Sequence, residues 1–397
     1  MSAPALMFVS SSDYDGLIAK GVTGMIAERS EGGFFRRVIS LHPLARKTRV
    51  VPIAPGHDLV ELGFDALPGG SRSRALRLLY APLYVARAAL AIRRIVREEG
   101  VDVVRASDPY WGALVAWLGT RSGSARFVIS IHADWDHLHA LDPRNGAPKL
   151  FGSRKASRLL ARFLLSRAER VMCIRKSLFA PAERAGARRE RLRLIPHGVN
   201  LAPFRAPAPP PPDDLAPGRR IVFFAGRLSR ENYVDDVFEA GRRLARRGDV
   251  ALVLAGGGPE EERLRAALAG DPELTQAICF LGFIPRDEVL ALRRAAAVNL
   301  VPMGGYSLIE ACASGRPTIA YDVQWHSELI EDGASGRLVP EGDVDGLVAG
   351  VEAFLDDPDL ADRIGAAGRA RAFALHDIEK VFLVRAGVYR ELLEETP

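Results

Sequence analysis

The sequence predicts an α/β protein of two doubly wound domains whose parallel sheets face a cleft. Strand-like apolar runs alternate with helical patterns through both halves, as in parallel sheets covered on two faces. A proline-rich stretch, Ala206-Pro207-Ala208-Pro209-Pro210-Pro211-Pro212-Asp213, separates the two series as a stiff extended linker. A chain of 397 residues is too long for one ordinary domain and suits two. The expected division is a first domain over 1–204, a linker over 205–217 and a second domain over 218–376.

The chain opens on the apolar run Ala5-Leu6-Met7-Phe8-Val9, which lacks the basic region and cleavage site of a secretory signal and reads as a strand. The strands expected in the first half cover 6–10, 37–41, 48–53, 101–106, 126–132, 170–174 and 191–196. Arg87, Arg93, Arg94 and Arg97 interrupt the most apolar helix, so no stretch of about 18 apolar residues is available to span a membrane. Over 153–167, Leu159, Leu160, Phe163 and Leu164 share one face flanked by arginines. That pattern fits a helix lying on an anionic bilayer and equally a helix packed on its own sheet. In the second half the strands cover 220–225, 250–255, 278–282, 298–302, 317–321 and 336–339, and helices follow over 343–355 and 360–373. A last amphipathic segment, 377–393, is more helix than the second domain needs, so residues 377–397 are expected to pack back on the first.

Apolar residues make up 48% and charged residues 26%, which excludes disordered, collagen-like and membrane-spanning classes. Cys173, Cys279 and Cys312 are odd in number and far apart, so neither a disulfide framework nor a metal cluster is legible and the chain reads as cytoplasmic. The net charge of +5 hides an asymmetry. Residues 1–200 carry 32 Lys or Arg against 17 Asp or Glu, whereas residues 201–397 carry 22 against 32. A basic half of +15 suits an anionic partner, a lipid surface or a phosphorylated substrate, and equally a set of solvated arginines. It lacks the aromatic-interleaved or recognition-helix pattern of a nucleic-acid binder.

In open parallel sheets ligands bind beyond the carboxyl ends of the strands, where helix N-termini favour anions. Gly226-Arg227-Leu228 follows a strand, and a guanidinium there suits a phosphate or a surface ion pair. Gly256-Gly257-Gly258-Pro259 follows another, reading as close backbone approach to a phosphorylated ligand or as a tight turn. Gly304-Gly305-Tyr306-Ser307 precedes a helix with Glu310 in its first turn. This arrangement suits a diphosphate with a sugar diol on Glu310, while Ser307 and Glu310 also have the spacing of a capping box, which spacing alone favours. In the first half, Asp15-Gly16 follows one strand and His132-Ala133-Asp134-Trp135 another. The spacing of His132, His137 and His139 matches no metal-ligand set, and no P-loop, GxSxG, HExxH or CxxC pattern is present.

Taken together and in order, these loops resemble the family 4 retaining glycosyltransferases of the GT-B fold, whose two domains are Rossmann-like. Ile195-Pro196-His197-Gly198-Val199-Asn200 is similar to the family's "vIPNGVD", Gly226-Arg227-Leu228 to "GRL", and Gly256 to Pro259 to "GdGP". Phe280-Leu281-Gly282-Phe283 is similar to "fLGf", and the run from Leu308 to Pro317 to "lLEAmAxGxP", followed by Ser327-Glu328-Leu329 and Gly336-Arg337-Leu338-Val339. The match covers nearly the whole chain.

The resemblance implies transfer, with retention, of a sugar from a UDP- or GDP-linked donor to a glycan, lipid-linked or small-molecule acceptor, without cofactor or obligatory metal. Such transfer serves polysaccharide or glycolipid assembly, on the cytoplasmic side and with a peripheral membrane contact through the basic half. It puts the donor on the second domain and the acceptor on the first. Arg227 would neutralise the diphosphate, Gly304 and Gly305 would donate backbone N–H groups to it, Glu310 would bind the ribose, His132 would lie near the donor sugar and Gly16 would be the first loop's glycine. Further donor-side candidates are Gly226, Asn232, Gly256, Gly258, Gly282, Phe283, Tyr306 and Ser307. The acceptor-side candidates are Lys20, Asp108, Asp134 and Trp135. Two positions depart from the family. Its lysine five residues after the arginine is here Asn232, with Arg230 or Lys20 as substitutes, and its glutamate eight residues before Glu310 is here Pro302, leaving half of the E-x7-E pair. The alternatives are a catalytically degenerate GT-B protein that binds nucleotide or glycan and works through a partner, and an isomerase of the 2-epimerase class.

Overall fold

A computed structural model describes residues 3–11, 13–19, 26, 28–63, 80–121, 123–141, 153–206 and 215–395. Most of the proline-rich linker and Lys20 lie outside the described residues. The chain divides into two compact units, one formed by Met1–Pro196 with Phe382–Pro397, the other by His197–Val381.

The first unit runs β1 (Ala5–Val9), α1 (Tyr14–Ala19), β2 (Arg37–Ala45), β3 (Arg49–Ala54), β4 (His57–Gly63), α2 (Ala81–Glu98), β5 (Val103–Ala106) and α3 (Trp111–Thr120). It continues with β6 (Arg126–Ile131), α4 (Trp135–Leu141), α5 (Arg154–Leu165), β7 (Arg170–Cys173), α6 (Phe179–Arg184) and β8 (Leu192–Leu194). Its eight-stranded sheet has the order β3-β4-β2-β1-β5-β6-β7-β8. Every neighbour pair is parallel except β3 with β4, which is antiparallel. β1 is apolar throughout and buried throughout, as a central strand covered on both faces must be. α2 buries Tyr84, Ala88, Ile92 and Val96, one residue per turn, and leaves its arginines outside.

The hairpin of β3 and β4 departs from the all-parallel expectation, and β4 itself was not foreseen. It buries alternate residues, but His57 and Glu61 are among them, so its sequence lacks the apolar alternation that announces a strand. The basic segment also resolves one way. Ser153 caps α5 by accepting from the Ala156 N–H at 3.3 Å, and Leu164 is fully buried while Leu160 and Phe163 pack on the core. Only Leu159 of that apolar face is exposed. Within the same unit, Tyr389 is fully buried against Phe34 and Phe35 and its hydroxyl accepts from Arg105 Nη1 at 2.9 Å, while Arg385 pairs with Glu31.

The second unit contains β9 (Arg220–Ala225), α7 (Val234–Leu244), β10 (Val250–Ala255), α8 (Glu261–Leu268), α9 (Pro272–Ala277), β11 (Ile278–Gly282), α10 (Arg286–Ala295) and β12 (Val298–Leu300). It ends with α11 (Tyr306–Ala313), β13 (Thr318–Tyr321), α12 (His326–Leu329), β14 (Arg337–Val339), α13 (Val344–Asp356) and α14 (Pro358–Leu375), before α15 (Ile378–Glu394). Its six strands are all parallel, in the order β11-β10-β9-β12-β13-β14. In each unit the strand order reverses beside the first strand, between β1 and β5 and between β9 and β12. These are the points where loops leave a crevice for ligands. No helix among the described residues is long and apolar enough to cross a membrane.

Candidate functional site

In the second unit, the loops after β9 and β10 are joined backbone to backbone. The Gly226 N–H donates to the Ala255 carbonyl at 3.0 Å, Leu228 N–H to Gly257 O at 3.1 Å and Glu260 N–H to Leu228 O at 3.1 Å. Glycine is required at two of these positions. Gly256 has φ +124°, and a Cβ on it would overlap the Gly226 carbonyl oxygen; a Cβ on Gly258 would overlap that of Leu228. Asn232 braces the first loop from the other side, its Nδ2 donating to the Arg227 carbonyl at 2.8 Å. The Arg227 side chain is left exposed.

These loops and the start of α11 enclose a cavity of about 530 Å³, with Arg227, Gly257, Phe283, Arg293, Ser307 and Glu310 in its wall. Gly226, Gly256 and Gly258 line it too. Phe283 is 89% exposed, and its ring lies over Gly257, where a Cβ would come within 2.7 Å of it. Asn232, Gly282, Gly304, Gly305 and Tyr306 do not line it. Gly282 instead accepts the Gly256 N–H at 2.7 Å, and the Tyr306 hydroxyl lies 3.4 Å from His197 Nδ1.

Three details differ from expectation. The capping box does not form: Gly305 precedes α11 and no side chain caps the helix. Glu310 turns away from the backbone because two cations claim it. Its Oε1 accepts from Arg286 Nη2 at 2.7 Å and its Oε2 lies 3.9 Å from Arg293 Nε. Gly304 N–H is engaged inside the fold, 3.3 Å from His326 Nε2. The buried His326 donates Nδ1–H to the Tyr321 carbonyl at 2.8 Å, which leaves Nε2 as an acceptor for Gly304. Gly305 has open space around it. The proposed lysine substitute Arg230 is turned to Glu260, its Nε 3.3 Å from Oε1. Pro302 is buried, and its carbonyl accepts the Tyr321 N–H at 3.3 Å.

Sequence reasoning missed Arg286, Arg293 and His326. Arg293 carried a signal, since it lies three residues after the buried Leu290 and so falls on the inward stripe of α10. Burial pushes its pKa down to about 10, and the nearby Glu310 works against that shift.

In the first unit, Asp108 at the end of β5 accepts from Ser11 Oγ at 3.0 Å, Ser107 Oγ at 3.3 Å and the Tyr110 N–H at 2.9 Å. Burial pushes its pKa up, against those hydrogen bonds. The Gly16 N–H is taken by Asp13 Oδ1 at 2.6 Å. His132 is half-buried just past β6. Asp134 caps α4, accepting from the Asp136 and His137 N–H groups at 3.1 Å, and lies 3.7 Å from Arg184. Trp135 stands edge-on to Tyr110 at 5.4 Å, in the wall of a second cavity of about 370 Å³. Among the described residues no three His, Cys, Asp or Glu side chains are grouped to hold a metal ion.

Residues 41–203 match the family described as Glycosyltransferase Family 4, and residues 211–371 match Glycosyl transferases group 1. An alpha-D-kanosaminyltransferase of Streptomyces kanamyceticus is 31% identical over 179 residues, 44% of this chain and 46% of the relative. A D-inositol 3-phosphate glycosyltransferase of Acidothermus cellulolyticus is 32% identical over 236 residues, 53% of this chain and 50% of the relative. The match thus spans about half the length of these curated relatives. Among solved structures, HepE of Anabaena in complex with UDP superposes with a TM-score of 0.71 over 98% of this chain and 100% of its own, at 17% identity. The fold is GT-B, two Rossmann-like parallel-sheet units. The chain belongs to the family 4 glycosyltransferases.

Proposed function

We propose that this chain is a retaining glycosyltransferase that moves a sugar from a nucleoside-diphosphate sugar, UDP- or GDP-linked, to a glycan, lipid-linked or small-molecule acceptor, without a metal. The observation that carries this reading is the cavity at the β9 switch point, where exposed Arg227, a glycine-built backbone and the carboxylate of Glu310 line one wall in a chain of this family. Breaking the bond between sugar and diphosphate builds negative charge on the departing phosphate. The Arg227 guanidinium and the N-terminus of α11 lower the energy of that charge. Glu310 accepts from the ribose hydroxyls, and Phe283 offers an exposed ring beside the base. Retention is read as front-face attack assisted by the leaving phosphate; among the described residues Glu310 is the one carboxylate in the cavity wall, which makes no glycosidase-type pair.

The acceptor is read on the first unit, at the switch point marked by Ser11 and Asp108 and beside Trp135. Peripheral contact with an anionic membrane belongs to the same reading. Exposed Leu83 and Leu90 on α2 alternate with Arg87 and Arg94, and Leu159 is exposed on α5. The test of the transferase reading is incubation with UDP-, GDP-, ADP- and dTDP-sugars, with and without chelator, measuring nucleotide release. Binding of none of them in calorimetry would sink it.

A further inference from the structure

The cavity poses an electrostatic problem. A diphosphate needs positive charge around it, and Glu310 places a carboxylate in the wall. Arg227 is exposed in the wall, Asn232 stands where the resembling family has a lysine, and Arg230 is held by Glu260. The charge balance depends on what surrounds Glu310.

Among the described residues Arg293 is the largest fully buried side chain, with 1% of it exposed, and it belongs to the cavity wall. A guanidinium has five N–H donors, and these are poorly used. Nη1 reaches Asn299 Oδ1 at 3.5 Å, Nη2 reaches the Ala225 carbonyl at 3.4 Å, and among the described residues Nε has no hydrogen-bond partner. Removing such a charge from water costs several kcal/mol, and an apolar side chain of similar size is often more stable in its place. Stability therefore does not explain an arginine here. Two of its neighbours do, because Ala225 leads directly into Gly226-Arg227 and the other is Glu310, with Arg286 on the opposite oxygen of that carboxylate. One carboxylate between two guanidiniums leaves a net positive charge at the cavity wall, where Glu310 alone would leave a negative one.

We infer that Arg293 is a positioning residue of the nucleotide site: acting through Glu310 from beneath, and together with Arg286 from the rim, it fixes the carboxylate and supplies the positive charge that Asn232 does not. The inference rests on the reading of this cavity as the donor site. It assigns Glu310 a fixed orientation, one oxygen toward each arginine, so that a ribose meets a carboxylate already in place.

The experiment is a calorimetric titration of the full chain with UDP and with GDP, in the parent and in Arg293→Met, Arg293→Lys and Arg286→Gln variants, each with a thermal melt. Arg293→Met is expected to melt at or above the parent's temperature yet bind the nucleotide about tenfold more weakly, with Arg293→Lys recovering part of that loss. A residue that merely supports the fold gives the opposite pattern, a lower melting temperature with unchanged affinity, and that result overturns the inference. Should Arg293→Met fail to fold, the exposed Arg286→Gln decides. Its affinity is expected to fall severalfold at low salt, with the deficit shrinking at about 0.5 M salt, and parent-like affinity at low salt overturns the inference. A parent that binds neither nucleotide overturns the donor-site reading, and this inference with it.

Discussion

Asn232 donates its side-chain amide to the Arg227 carbonyl at 2.8 Å, so the residue that departs from the family's lysine holds the backbone of the arginine it would have accompanied. Position 232 thus contributes geometry in place of charge. An exposed neutral hydrogen bond of this kind is worth about 1 kcal/mol. Asn232→Ala is expected to raise the nucleotide-sugar KM roughly fivefold with little change in melting temperature. Unchanged kinetics in that variant would mean the bond does not organise the loop.

On the proposed reading, Arg227 meets the charge that develops on the leaving diphosphate. Its removal is expected to act on kcat more than on KM, because the interaction strengthens as the bond breaks. Arg227→Ala should lower kcat about a hundredfold, the scale seen when one preorganised charge-stabilising donor is lost. Steady-state kinetics with whichever sugar nucleotide releases product reads the split, and an effect on KM alone would contradict the role.

Gly256 combines φ +124° with a Cβ position overlapping a carbonyl oxygen of the facing loop. Gly256→Ala forces the two loops apart and is expected to destabilise the second unit by roughly 3 kcal/mol, beyond backbone strain alone. Nucleotide binding should be lost even in protein that remains folded. Calorimetry on the folded fraction measures this, and parent-like affinity would show that the joined loops are not the binding surface.

His42 and His57 lie in the interior of the first unit, each with its pKa pushed down to about 4, first by burial and then by the nearby Arg29. Asp13 opposes the shift at His42; Asp58 opposes it at His57, where Arg37 adds to it. Among the described residues neither ring nitrogen of His42 has a hydrogen-bond partner, and His57 Nε2 meets Ser40 Oγ at 2.8 Å. The unfolded chain binds protons on both rings from about pH 6.5 downward, before the folded chain does. Stability is therefore full above that pH and falls as the pH drops toward about 4. His42→Leu should flatten this slope and leave stability at neutral pH equal or higher, because no hydrogen bond is lost. Denaturant titrations between those limits test it, and identical slopes in parent and variant would remove His42 from the account.

The sheet strands were legible where burial on both faces demands unbroken apolar runs, as in β1, β9 and β10. β4 escaped because its inward positions include His57 and Glu61, whose partners lie far along the chain. The loops around Arg227, Gly256 and Glu310 could be located because each follows a strand. Their wiring could not. The spacing of Ser307 and Glu310 is identical for a capping box and for a carboxylate held by arginines. The choice was made by Arg286 and Arg293, 24 and 17 residues earlier in the sequence. The inward face of α5 was ambiguous for the same reason, since a bilayer and a sheet reward the same apolar stripe.

The joined loops after β9 and β10 have a kinetic consequence. Their mutual hydrogen bonds are made by the two loops themselves, so on the proposed reading a nucleotide meets a wall that is already joined and overcomes little entropy of ordering. Encounter is then governed by diffusion and the local field. Substitutions around Glu310 that leave the joined loops intact are then expected to change how long the nucleotide stays more than how fast it arrives.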